Sequence, residues 1–287
     1  VTAMTMVSKA AAMGAAGLLA AAALTGCSSN DDSGAKSKAD ESKSAADGQS
    51  PSQVVQATNE KTTQAGSARV KITTTATASG KSQKVTGQGV MDLADGTSKL
   101  TMGEAGQRLE QRVVDQVLYQ KPPKGQGGLP GGKSWMKIDL QRLRESGASG
   151  SSQVSDPSDS FAYSKSLSEK DVKKVGENEL QGVSTTHYRV KVDIDKLAKG
   201  DAKQAKKLRE QIGDDVPVDL WIDDKGLTRR QQIVLAPQDA KGGGGQAKMV
   251  MDFSDFGTDV DVDAPSDAET VDMTGKVIKQ AGAQKGA

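Results

Sequence analysis

"ARVKITTTA", residues 68–76, decides the fold class. Apolar or small side chains fall at every second position, Ala68, Val70, Ile72, Thr74 and Ala76, with Arg69, Lys71, Thr73 and Thr75 between them. A period of two sends successive side chains to opposite faces of a pleated strand, so one face meets a core and the other meets water. Such half-buried alternation belongs to antiparallel sheets, because parallel strands covered on both sides read as unbroken apolar runs.

Working outward, the turn "SGKS" at 79–82 leads into a second run with Val85, Gly87, Gly89, Met91 and Leu93 opposite Thr86, Gln88 and Asp92. Asp95 and Gly96 supply the next hairpin turn. "SKLTMG" (98–103), "QRLEQRVV" (107–114), "QVLYQ" (116–120) and "SWMKIDL" (134–140) continue a predicted meander. The second half repeats the style. Tyr188, Val190, Val192 and Ile194 alternate with Arg189, Lys191 and Asp193, and Val216, Val218, Leu220 and Ile222 form another face. "LTRRQQIVL" (227–235) and "AKMVMDFSDF" (247–256) follow as neighbouring strands.

Two helices interrupt the strands. Ser50 as N-cap, Pro51 at the first helical position and Gln53 three residues after the cap predict a helix to about Gln64, stopped by Gly66. Asp201 caps a second, ended by Gly213, with Ala205, Leu208 and Ile212 on one stripe. Residues 145–160 and 240–246 are low in complexity and predict loops, and the tail after Thr274 predicts no packing.

The chain's single cysteine, Cys27, ends "LTGC" and follows an apolar run from Ala10 to Leu24 behind one positive charge, Lys9. That is the layout of an export signal, and the run is shorter than the roughly 20 residues a membrane span needs. Leu24 to Cys27 resemble the bacterial lipobox, in which the cysteine sulfur takes a diacylglyceryl group. Two acyl chains anchor well where one holds weakly. Residues 28–49, rich in serine, aspartate and lysine, predict a solvated tether with a reach of about 25 Å.

Several function classes drop out. A net charge of +1 gives no basic balance for nucleic acid. "GGLPGGKS" at 127–134 fits the phosphate-loop pattern in letters, but lacks the preceding buried strand and following helix. Asp259, Asp261 and Asp263 have calcium-loop spacing, yet Ala264 replaces the glycine and Thr270 the glutamate, leaving an edge strand with a charged face. His187 is the lone histidine, no serine stands in G-x-S-x-G, and the pairs Asp214/Asp215 and Asp223/Asp224 fall at turns. The residues predict neither an enzyme nor a cofactor or metal site.

"KVGENELQGVSTTHYRVKVD" (174–193), "VPVDLWIDDKGLTRRQQIVL" (216–235) and "MDFSDFGTDVDVDAP" (251–265) together resemble the LppX/LprG group of actinobacterial lipoproteins, whose fold is related to LolA. The resemblance runs from about Ser52 to Met273. It implies an α+β fold: a curved, half-open antiparallel sheet, an unclosed barrel, with helices packed on its concave face. It divides the chain into a signal peptide (1–26), a lipidated tether (27–49), a LolA-like domain (50–274) and a flexible tail (275–287).

The resemblance also implies an apolar cavity for an acylated lipid or glycolipid. Its lining would be Val70, Ile72, Val85, Met91, Leu100, Met102, Val113, Tyr188, Val190, Leu220, Ile222, Met249, Met251 and Phe253, the faces that strand periodicity also selects. The implied function is lipid carriage or presentation at the outer face of the cytoplasmic membrane, anchored through diacylglyceryl-Cys27. The alternative is an interaction or envelope-sensing module of the same fold with a filled core and a protein partner.

Overall fold

A computed structural model of the chain describes residues 48–78, 80–104, 107–123, 128–146, 164, 167–198, 202–236 and 245–283. The signal segment, Cys27 and the tether to Asp47 lie outside the described residues, as do 147–160 and most of the glycine-rich 240–246.

Helix α1 (Pro51–Gln64) starts as its sequence dictates. The Gln53 amide donates to the Ser50 hydroxyl, and the Ser50 amide donates back to the Gln53 side chain at 2.9 Å. Gly66 turns the chain at φ 81°, a conformation that glycine adopts without the steric cost of a Cβ. Strands β1 (Ser67–Ala78), β2 (Lys81–Asp92), β3 (Ser98–Glu104), β4 (Gln107–Val114), β5 (Val117–Lys121) and β6 (Trp135–Asp139) follow as a meander. Helix α2 (Leu140–Glu145) is capped by Asp139, which accepts the Arg142 amide at 2.9 Å.

The second half builds outward from the other edge with β7 (Val172–Leu180), β8 (Val183–Asp193), the short helix α3 (Ile194–Leu197), α4 (Ala202–Ile212), β9 (Asp215–Asp223), β10 (Thr228–Leu235) and β11 (Gln246–Ser254). The chain ends in β12 (Thr270–Asp272) and α5 (Thr274–Ala283). All twelve strands form one sheet in the order β12-β6-β5-β4-β3-β2-β1-β11-β10-β9-β8-β7. The two meanders are joined where β1 pairs with β11, and only β12 with β6 is parallel. Among the described residues the edge strands β12 and β7 do not pair, so the barrel stays open.

Three apolar clusters line one face. Val55 of α1 and Ala205 of α4 pack on β8 and β9 residues including Val190, Val218 and Leu220. At the opposite end Leu140 and Leu143 of α2, with Val277 and Ile278 of α5, pack on Val113, Leu118 and Ile138. Between them Ala68, Val70, Met91, Leu93, Met251 and Phe253 form a middle cluster. The unit Lys43–Ala287 holds all twelve strands and all three clusters, so it carries its own core.

Three expectations change. The predicted tail folds into α5 from Thr274, because Val277 and Ile278, one helical step apart, reach the cluster beneath β4 to β6. Ile194, predicted on a strand, opens α3, because Asp193 accepts the Asp195 amide at 2.7 Å and starts a helical turn. Asp259 to Val262 form no strand but an irregular segment. Its ends are fixed by side chains of the sheet, Ser67 donating to the Thr258 carbonyl and Arg112 to that of Asp263 at 2.9 Å, rather than by a paired neighbour.

Candidate functional site

Strand register assembles the inner face in rows. One row crosses eight strands, running Leu109, Met102, Gly87, Ile72, Met251, Gln231, Leu220 and Tyr188. The next row toward the β1–β2 turn runs Val85, Thr74, Met249, Ile233, Val218, Val190 and Val172. Toward the other end lie Leu100, Gly89, Val70 and Phe253, then Val113, Ser98, Met91 and Ala68. Because side chains alternate with a period of two, all fourteen predicted lining residues share this single face.

Burial divides them. Val70, Met91, Leu100, Val113, Tyr188, Val190, Leu220, Ile222, Met251 and Phe253 are buried, each at 5% exposure or less. Ile72, Val85, Met102 and Met249 are half-buried, and they neighbour one another on β11, β1, β2 and β3. Along β1 the gradient is direct: Ala68 and Val70 are fully buried, Ile72 and Thr74 half-buried, Ala76 exposed. The apolar face therefore opens toward the β1–β2 turn. Among the described residues no helix contributes to the middle cluster.

Leu109 and Ile233 are half-buried in the same rows and were not among the predicted residues. The alternations Leu109, Gln111, Val113 and Gln231, Ile233, Leu235 carried that signal. Gln231, 1% exposed, is the polar interruption in the longest row.

Two glycines thin the sheet here. A Cβ on Gly87 would sit 2.2 Å from the Met102 sulfur, so the methionine already covers the space that this glycine leaves. A Cβ on Gly89 would meet the Lys99 carbonyl oxygen at 1.9 Å, so β2 and β3 approach through backbone. On the opposite, outer face these glycines floor two grooves of about 250 and 350 Å³. Lys71, Thr86, Thr101 and Arg108 wall the first, and Arg69, Gln88 and Lys99 the second.

The electrostatics are structural in kind. On the outer face His187 Nε2 lies 2.8 Å from Asp219, which also accepts from Arg189 at 2.9 Å, and the imidazole stacks on Trp221 at 4.3 Å. Asp223, almost fully buried, holds Arg229 at 2.7 Å and caps its own turn by accepting from Lys225 and Leu227 amides. Burial pushes the Tyr188 phenol up, so it sits neutral within the apolar rows. Hydrogen bonds from the Ser168 hydroxyl and amide lower the Asp171 carboxyl to about 2. For Asp272, burial raises the carboxyl, but the Thr274 hydroxyl and amide and the charge of Arg142 outweigh it, and the net direction is down. Among the described residues no cluster of three His, Cys, Asp or Glu could hold a metal. The glycine-rich 128–134 is a loop between β5 and β6, with Lys133 donating to the Ala268 carbonyl at 2.6 Å.

The LppX_LprAFG lipoprotein family model matches residues 50–262. A 31.2 kDa Streptomyces griseus protein from the rplA-rplJ intergenic region is 30% identical over 264 residues, covering 83% of this chain and 84% of that one. A Streptomyces coelicolor chain described as a lipoprotein is 26% identical over 226 residues, covering 74% of this chain and 71% of that one. The crystal structure of the Mycobacterium tuberculosis lipoprotein LppX is 15% identical, covers 73% of this chain and 98% of its own, and superposes with a TM-score of 0.44.

Proposed function

Because this chain belongs to the LppX_LprAFG lipoprotein family, we propose that it binds the acyl chains of a lipid or glycolipid on its inner face. Diacylglyceryl-Cys27 anchors it to the outer face of the cytoplasmic membrane, and the bound lipid is carried or presented there without covalent chemistry. The observation that supports this is the continuous apolar face, fully buried at one end and half-buried at Ile72, Val85, Met102 and Met249. A long apolar surface with few polar groups suits alkyl chains, which gain from area and ask for no hydrogen bonds. Entry costs little, since bilayer and inner face are both apolar. Exchange is governed by access at the open end.

The test is to express residues 28–287 in an actinobacterium, purify without detergent and weigh extracted lipid against protein. One defined lipid per chain is expected, falling several-fold when Ile72→Glu and Met249→Glu place charges at the open end, since an unpaired charge there is costly to bury against hydrocarbon. A folded, lipid-free domain would sink this reading. It would favour the second one, a protein-interaction module with a filled core, to which the Met102 sulfur over Gly87 already points.

A further inference from the structure

The half-buried end of the inner face has a charged counterpart on the other side of the same strands. Lys71, Lys84, Arg108 and Lys248 are all exposed there. Lys84 and Lys248 flank Thr75 of β1 in register, and Lys71 and Arg108 wall the groove of about 250 Å³. Among the described residues none of these four has an ion-pair partner. The carboxylates nearest to them in register are already engaged: Asp252 with Arg230 at 2.5 Å and Glu110 with Arg112 at 2.7 Å. The whole chain is only +1, so this is a local excess and not an overall field.

One end of the sheet thus offers apolar side chains inward and unpaired cations outward, a strand's thickness apart. That pairing matches one environment, the boundary where hydrocarbon gives way to phosphate. We propose that the β1–β2 end docks on an anionic phospholipid surface. Lys71, Lys84, Arg108 and Lys248 then lie against head-group phosphates, with the Thr86 and Thr101 hydroxyls beside the groove as further donors. Docking brings Ile72, Val85, Met102 and Met249 to the bilayer, so the inference rests on the proposed lipid site for its purpose. It stands on the cations for its binding.

Residues 28–287, which contain the whole compact unit, are floated with vesicles of phosphatidylcholine alone or with about one third phosphatidylglycerol. Binding to the mixed vesicles only is expected, weakening as salt is raised. Each cation at such a surface strengthens binding roughly five-fold, so Lys71→Glu, Lys84→Glu and Arg108→Glu together lower it at least about a hundred-fold. The same charge change at the exposed Lys225, Lys276 and Lys279, at the β9–β10 turn and on α5, is expected to leave binding within about two-fold. Equal loss in that control, equal binding to both vesicles, or no binding by the unaltered chain overturns docking. So does displacement by inorganic phosphate matched to the lipid phosphate, which would make the groove a free-anion site. Lipid weighed from each variant separates the two ideas: a triple variant that keeps its lipid but does not float leaves carriage standing and confirms docking. An unaltered chain that floats without lipid fails carriage alone.

Discussion

The two ends of a single row differ although they lie on one face of the sheet. At one end Leu220 and Tyr188 are buried beneath α1 and α4; at the other Ile72 and Met102 are half-buried on the same face. The register between them is unbroken, so the sheet itself makes no distinction. Helix coverage marks the Leu220 end, where Val55 of α1 and Ala205 of α4 join the cluster. Side chains also differ in kind, with valine, leucine, isoleucine and tyrosine beneath the helices, and Met102, Met249, Thr74 and Gly87 beside Ile72 and Val85 at the open end. Branched side chains lock a core into one packing, while methionine adapts to what lies on it. The same strand pattern therefore builds core in one half and an accommodating surface in the other.

The largest expected effect tests that division on a single row. Leu220→Ala removes buried methyl and methylene groups from the best-covered cluster and is expected to cost about 2–5 kcal/mol. Met102→Ala, at the half-buried end, is expected to cost about 1 kcal/mol or less, because exposed atoms lose less on truncation. Urea unfolding of both variants reads the difference directly. Equal losses would mean that the open end is packed core after all.

This division was only partly legible in the sequence. Alternation in "ARVKITTTA" and "VPVDLWID" gives the strands and their inward faces, since a period of two is local and survives without tertiary information. The row order was not legible, because β1 pairs with β11 across more than half the chain. Nor was the split between buried and half-buried residues, which depends on tertiary packing; Val70 and Ile72 are adjacent on one face and look alike in sequence. The α5 helix was missed because Val277 and Ile278 are only two apolar positions in a glycine- and lysine-flanked stretch. Their partner, the cluster of Val113, Leu118 and Ile138, comes from distant strands. His187 looked solitary because its partner Asp219 lies on the neighbouring strand.

A smaller effect separates backbone from side chain within the open end. Gly89→Ala drives a methyl into the Lys99 carbonyl, and β2 and β3 must part; about 1–3 kcal/mol is expected. Gly87→Ala meets only the flexible Met102 thioether, which can turn away, so under about 1 kcal/mol is expected. Hydrogen exchange on β2 and β3 should quicken in the first variant and not in the second. A comparable loss in both would mean that Met102 is fixed in place and that the open end has the rigidity of the covered half.

The smallest effect belongs to the covered half and tests how its corner is tied. Asp171 closes the turn before β7, accepting from the Ser168 hydroxyl at 2.6 Å and amide at 2.9 Å and pairing with Lys196 of α3 at 3.1 Å. Its carboxyl falls from 3.8 in an unstructured chain to about 2. A folded-state value below the unfolded one means the contribution is complete above about pH 4 and is lost as pH falls through the interval toward 2. Asp171→Asn removes the charge at every pH, so at neutral pH it is expected to cost under about 1 kcal/mol for a partly solvated pair. Between pH 4 and 2 the unaltered chain should lose that margin and converge on the variant. Thermal unfolding across this interval reads the convergence; parallel curves would mean that the turn is held by backbone and packing alone, and that charge has no part in keeping the covered half closed.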